Sequence, residues 1–239
     1  MTGTTRTQDT DLGLLLLHAL PFDGSMWGGF VDLLPGATYT PTLYDYGSSI
    51  EDWAVASLSQ VRQKNLIVVG CSVGASVALE IAALSPDRVV TLILIGCKAH
   101  HNPDPELHAE AVNLLKEGGV APAWHKYWAP LFSISTDRAV VANAFHYACQ
   151  LDPREIIKGV TAFHTRPSRG ELLENYDNTV LVVTGKDDIA PGPEASAALS
   201  LTAPNGRLHV IPGCGHYIPL EQPKVLRHII QAEILKHLK

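Results

Sequence analysis

Four runs of this chain are apolar almost without interruption: Leu12–Leu17 (LGLLLL), Leu66–Gly70 (LIVVG), Val89–Ile95 (VVTLILI) and Val180–Thr184 (VLVVT). A strand with one wet face alternates apolar and polar residues. A run that is apolar at every position is buried on both faces, which is how parallel strands covered by helices read. Tyr39–Tyr44 and Leu208–Ile211 are weaker candidates of the same type. Helix-like stretches lie between. Val73–Leu84 (VGASVALEIAAL) is closed by Ser85-Pro86, because proline cannot continue a helix. A second begins near Pro223, a residue suited to a first helical position. Beyond it Leu226, Ile230, Ile234 and Leu238 recur at a spacing of four, one apolar face. Strands alternating with helices predict an α/β fold built on a mostly parallel central sheet.

One stretch departs from this rhythm. Between 97 and 176 there is no strong strand, but Trp124, Tyr127, Trp128, Phe132, Phe145, Tyr147 and Phe163 occur in helix-like patterns. This segment is expected to form a helical cap over the C-terminal edge of the sheet. Residues 12–239 then form a single domain, preceded by a polar flexible tail over 1–11. The aromatic residues of the cap either line an apolar pocket or pack the cap onto the domain.

Composition narrows the function. The chain has 239 residues, 46% hydrophobic and 18% charged, with a net charge of −6. It carries no Lys/Arg cluster of the kind that binds nucleic acid. Leu12–Leu17 is too short to span a membrane and lacks the flanks of a signal peptide. Cys71, Cys97, Cys149 and Cys214 are scattered, without zinc or C-x-x-C spacing. A reduced, cytoplasmic protein is expected, with no nucleic-acid or membrane partner. The histidines of the cap show no metal-site pattern, so neither metal nor cofactor is expected.

The strongest local signal is Gly70-Cys71-Ser72-Val73-Gly74, set between an apolar strand and a helix. A serine lifted out of a sheet needs a tight, strained strand-to-helix turn. Side chains two positions away on either side would collide, so glycine stands there. The helix N-terminus also favours negative charge developing beside the serine. Such a serine needs a base. Of eleven histidines, His216 stands out, because Gly213-Cys214-Gly215-His216-Tyr217 follows a strand and can present the ring above the sheet edge. An acid must orient it, and Asp187 and Asp188 follow the strand Val180–Thr184, at the end where such sheets carry functional groups. The oxyanion needs two backbone donors. Val73 N–H, next to the serine, is one. Leu20 N–H, in the loop His18-Ala19-Leu20-Pro21 after the first strand, is the other. His18 is read as a structural residue holding that loop.

Five segments in this order resemble the α/β-hydrolase superfamily: LLLLHALPFDGSMW, YDYGSS, VVGCSVGAS, VVTGKDDIAP and IPGCGHYIPLEQP. They span residues 12 to 223 and resemble most the small single-domain esterase, lactonase and thioesterase branch. The resemblance implies Ser72 as nucleophile, His216 as base, and hydrolysis of a small-molecule carboxylic ester, lactone or thioester. The family's acid loop, counted from Gly185, selects Asp188; counted back from Pro191, it selects Asp187. Asp188 is taken as the acid. His18-Ala19 replaces the usual His-Gly. The segment before Leu12 is too short for two leading antiparallel strands, so about six strands are expected. Serine at the elbow argues against relatives that use aspartate there. The same residues also serve lyases, C–C hydrolases, acyltransferases and cyclases, and the fold supports ligand receptors.

Overall fold

The computed structural model describes residues 11–238. The expected tail over 1–11 lies outside them, save Asp11, whose carbonyl accepts the Asn65 N–H at 2.9 Å. Six strands form one sheet: β1 Leu12–Leu17, β2 Thr38–Tyr39, β3 Asn65–Cys71, β4 Val89–Ile95, β5 Thr179–Gly185 and β6 Gly206–Ile211. Their order is β2-β1-β3-β4-β5-β6, and every adjacent pair is parallel. All six residues of β1 are buried, as are the last six of β3 and of β5. Each leucine so buried contributes about 2 kcal/mol of hydrophobic stabilisation.

Helices flank the sheet: α1 Ile50–Gln60, α2 Val73–Leu84, α3 Pro105–Gly118, α4 Val120–Ala123, α5 Arg138–Ala148, α6 Pro153–Thr165, α7 Pro193–Thr202, α8 Ile218–Glu221 and α9 Pro223–His237. α3 to α6 all lie between β4 and β5, the stretch without strands in the sequence. Between α4 and α5 the backbone winds through a π turn at Trp124–Trp128 and a 3₁₀ turn at Ala129–Leu131.

Two local expectations need correction. Tyr39–Tyr44 does not continue as a strand: β2 stops at Tyr39, and Leu43–Tyr46 is a 3₁₀ turn. Pro41 has no N–H to give to a ladder. Leu238 does not join the buried face of α9. Leu226, Ile230 and Ile234 are buried there, whereas Leu238 lies past the helix end and is 51% exposed.

The strand order places the site. Going out from β1, the chain adds β2 on one side and β3 through β6 on the other. Ligands of open parallel sheets bind outside the C-terminal ends of the strands at such a reversal. The ends that meet there are His18-Ala19-Leu20, after β1, and Ser72, after β3.

Candidate active site

Ser72 is the only non-glycine with positive φ among the described residues, at φ 55° and ψ −114°. Such a conformation costs on the order of 1–3 kcal/mol and persists only where its surroundings enforce it. Here the Ser72 N–H donates to Ile95 O at 2.8 Å, and its carbonyl accepts the Ala75 N–H at 2.9 Å. The glycines on either side are sterically required. A Cβ on Gly70 would sit 2.2 Å from Gly74 O, and one on Gly74 would sit 2.3 Å from Leu17 O. The elbow is thus pressed against the end of β1, and Ser72 heads α2.

His216 and Asp188 are both buried, at 2% and 4% exposure. His216 Nδ1 lies 3.1 and 3.0 Å from the two Asp188 carboxylate oxygens. A carboxylate only accepts, so Nδ1 carries a proton, and in the neutral imidazole Nε2 then keeps its lone pair. Asp188 also accepts the Ala190 N–H at 2.8 Å. Asp187, its neighbour, turns the other way and accepts the Ser133 hydroxyl at 2.6 Å. Of the two acids, only Asp188 meets the histidine. Gly96, just past β4, gives the imidazole its space: a Cβ there would lie 2.5 Å from His216 Cε1.

Ser72 and His216 line the same cavity, of about 190 Å³, and the Tyr217 and Leu20 side chains share its wall. From the cap come Leu107, Tyr127, Trp128, Leu131, Val160 and Phe163. Of the cap aromatics, Tyr127, Trp128 and Phe163 therefore line the pocket. Trp124 packs instead against Phe22, Phe132 and Phe145. The Val73 N–H begins α2 and has no intrahelical acceptor. The Leu20 N–H likewise donates to no group among the described residues. Both donors that the sequence singled out are thus uncommitted.

His18 lies outside this chemistry. It is fully buried, its Nε2 accepts the Leu43 N–H at 2.9 Å and its Nδ1 lies 3.3 Å from Ala19 O. Burial pushes its pKa down to about 4. It pins the loop after β1 to the Leu43–Tyr46 turn. Cys71 is also fully buried, contacts His216 O weakly at 3.9 Å and is no part of the cavity wall.

Glu221 was missed in the sequence. One of its oxygens accepts the Ser133 N–H and the Gly215 N–H, each at 2.9 Å, together with the Thr136 hydroxyl; the other accepts the Tyr217 N–H at 2.9 Å. His216 N–H itself donates to Leu131 O at 2.9 Å. The histidine loop and the cap segment 131–136 thus share one carboxylate. The available signal was an acid five residues after the histidine, between two prolines, in an otherwise apolar stretch.

A family model described as Alpha/beta hydrolase family matches residues 14–228. The chain belongs to this family. Curated relatives include a pimeloyl-[acyl-carrier protein] methyl ester esterase of Aromatoleum aromaticum, 26% identical, covering 88% of this chain and 93% of that protein. A 2-hydroxymuconate semialdehyde hydrolase of Pseudomonas putida is 25% identical over 69% of this chain and 60% of its own length. Among solved structures, a thermophilic esterase from Thermogutta terrifontis, with malate bound, superposes with a TM-score of 0.86 at 24% identity, covering 95% of this chain and 90% of that one. This member of the alpha/beta hydrolase family is a hydrolase. Among its described residues no helix is long and apolar enough to cross a membrane.

Proposed function

We propose that this hydrolase cleaves a carboxylic ester, lactone or thioester through an acyl-enzyme on Ser72. The observation that carries this reading is the pair formed by Asp188 and His216 Nδ1, beside a strained serine on the same cavity wall. His216 Nε2 takes the Ser72 proton as the hydroxyl oxygen attacks the carbonyl carbon. Asp188 fixes the tautomer and offsets the charge on the imidazolium. The Leu20 and Val73 N–H groups receive the oxyanion. On collapse, the imidazolium returns its proton to the leaving alkoxide or thiolate. Water, deprotonated by the same histidine, then attacks the acyl-enzyme and releases the acid. These steps draw on no metal or organic cofactor.

Two further facts favour this chemistry. Hydrolysis is named for both curated relatives, and an ester for one of them. Apart from Lys98 and His164, the cavity wall from the cap is apolar and aromatic, which suits an acyl chain. The free, buried Cys71, Cys97 and Cys214 fit a reducing cytoplasm.

The test is hydrolysis of p-nitrophenyl esters of graded chain length, wild type beside Ser72→Ala. Turnover that disappears in the variant supports the reading. Turnover that survives it, or none by folded wild type on any ester, thioester or lactone offered, overturns it. Product analysis with an added alcohol or amine separates hydrolysis from acyl transfer.

A further inference from the structure

The cavity wall has no acidic side chain, yet a cation stands in it. Lys98 follows Gly96 by two residues, lines the cavity and makes no ion pair or hydrogen bond among the described residues. A second cation lies just outside the lining. Arg166 caps the end of α6, is only 6% exposed and has no carboxylate partner among the described residues. Its guanidinium carbon sits 3.9 Å from the centre of the Phe163 ring, which lines the cavity. One of its groups donates to Phe163 O, while its Nε, fully buried, has no partner. Burial pushes its pKa down to about 10, so it remains charged at neutral pH.

Three histidines cluster near Arg166, and one of them, His164, is in the cavity wall. His164, in the lining, stacks on His108 with ring centres 5.2 Å apart and planes 6° from parallel. His101 Nε2 lies 2.9 Å from His164 O. Burial, with His108, Arg166 and His101 nearby, pushes the His164 pKa down to about 4. Asp104, whose charge acts on His164 in the opposite direction, is outside the lining and accepts the Leu107 N–H at 3.0 Å as the cap of α3. Arginine buried without a counter-charge is costly. An anion in the cavity would supply that counter-charge, and a largely apolar wall would strengthen the attraction.

We propose that the cavity binds esters carrying an anionic group, a carboxylate at the far end of a short acyl chain, held by Lys98 in the positive field of Arg166. This specificity rests on the ester-hydrolase reading above, but its binding component can be measured apart from turnover. The probes are methyl hydrogen adipate and methyl hexanoate, which differ only in a terminal carboxylate against a methyl. Their affinities for Ser72→Ala protein are measured by calorimetry at low and high salt. The half-ester is expected to bind about tenfold more tightly or better at low salt, with the gap narrowing at high salt. Adding Lys98→Ala should bring the ratio close to one, and Lys98→Glu should invert it. Equal affinities, binding of neither probe, or a preference that both Lys98 changes leave intact would each overturn the anion site. Wild-type hydrolysis of the same two esters reports on the other question. A binding preference without turnover leaves the anion site standing and removes the esterase.

Discussion

Glu221 accepts both backbone N–H groups that flank His216, from Gly215 and from Tyr217, each at 2.9 Å. A carboxylate with no hydrogen bond to the imidazole therefore holds the backbone of the residues before and after it. The same carboxylate binds Ser133 and Thr136 of the cap. Hydrogen bonds to a charged acceptor contribute about 1.5–3 kcal/mol each, and buried donors left without one cost a similar amount. Glu221→Ala is expected to lower unfolding free energy by about 3 kcal/mol and kcat by roughly tenfold or more. Glu221→Gln should fall between, since its amide nitrogen must face a backbone N–H. Urea unfolding and steady-state kinetics on the three proteins check this. Kinetics unaltered in a destabilised Glu221→Ala would restrict the residue to folding.

The adjacent acids should separate sharply. Asp188→Asn puts a group that can donate against His216 Nδ1 and favours the wrong tautomer, so kcat is expected to drop by about 10⁴. Asp187→Asn keeps an acceptor for the Ser133 hydroxyl and should cost less than about tenfold. Comparable losses from both would show that Asp187 also acts on the base.

Ser72 holds a conformation that suits glycine better than any other residue. Ser72→Gly and Ser72→Ala should both lose turnover. The glycine variant should be the more stable by about 1 kcal/mol, because it relieves a positive φ that alanine cannot relieve. Thermal unfolding of the pair decides. Equal melting temperatures would mean the elbow carries little strain.

Acid should destabilise the fold through His18. An unfolded histidine titrates near 6.5, and burial holds His18 at about 4. Between those values the unfolded chain takes up a proton that the native protein refuses. The stability His18 contributes is thus fully present above about pH 6.5 and is lost as the pH falls toward 4, by at most about 3 kcal/mol. His164, also held down to about 4, acts in the same direction. His18→Gln keeps an acceptor for the Leu43 N–H and should flatten, without abolishing, the decline of unfolding free energy over that range. A variant as acid-sensitive as wild type would assign the effect elsewhere.

The sheet was legible because burial on both faces leaves a mark that needs no partner to be read. The runs at Leu12, Leu66, Val89 and Val180 became β1, β3, β4 and β5 within a residue or two at each end. The edge was harder. The Tyr39–Tyr44 run has strand composition, but a single proline within it decides the backbone. α7, composed of small residues such as Ala195, Ser196 and Ala198, lacks the apolar stripe that marks a surface helix. Ser72 and His216 could be singled out because their glycines record a steric demand. Asp187 and Asp188 could not be told apart by type, since both are acids in one turn, and the difference lies in what the cap and the histidine loop bring to each. Glu221 and Arg166 were hidden for the same reason. A charged residue reads as solvated until the fold shows it buried or bonded.

Hydrogen bonds tie the segment 131–136 to the loops that carry His216 and Asp187. Leu131 O, Ser133 and Thr136 hold His216 N–H, Asp187 and Glu221. Lifting that segment would break the bonds that hold His216 N–H and the Glu221 carboxylate. Two residues of the cavity wall, Lys98 and Leu107, are exposed, and neither takes part in these bonds. On the proposed reading, ligand exchange on the Lys98 side would leave Ser72, His216 and Asp188 in place, and a lysine would be the charge nearest that route.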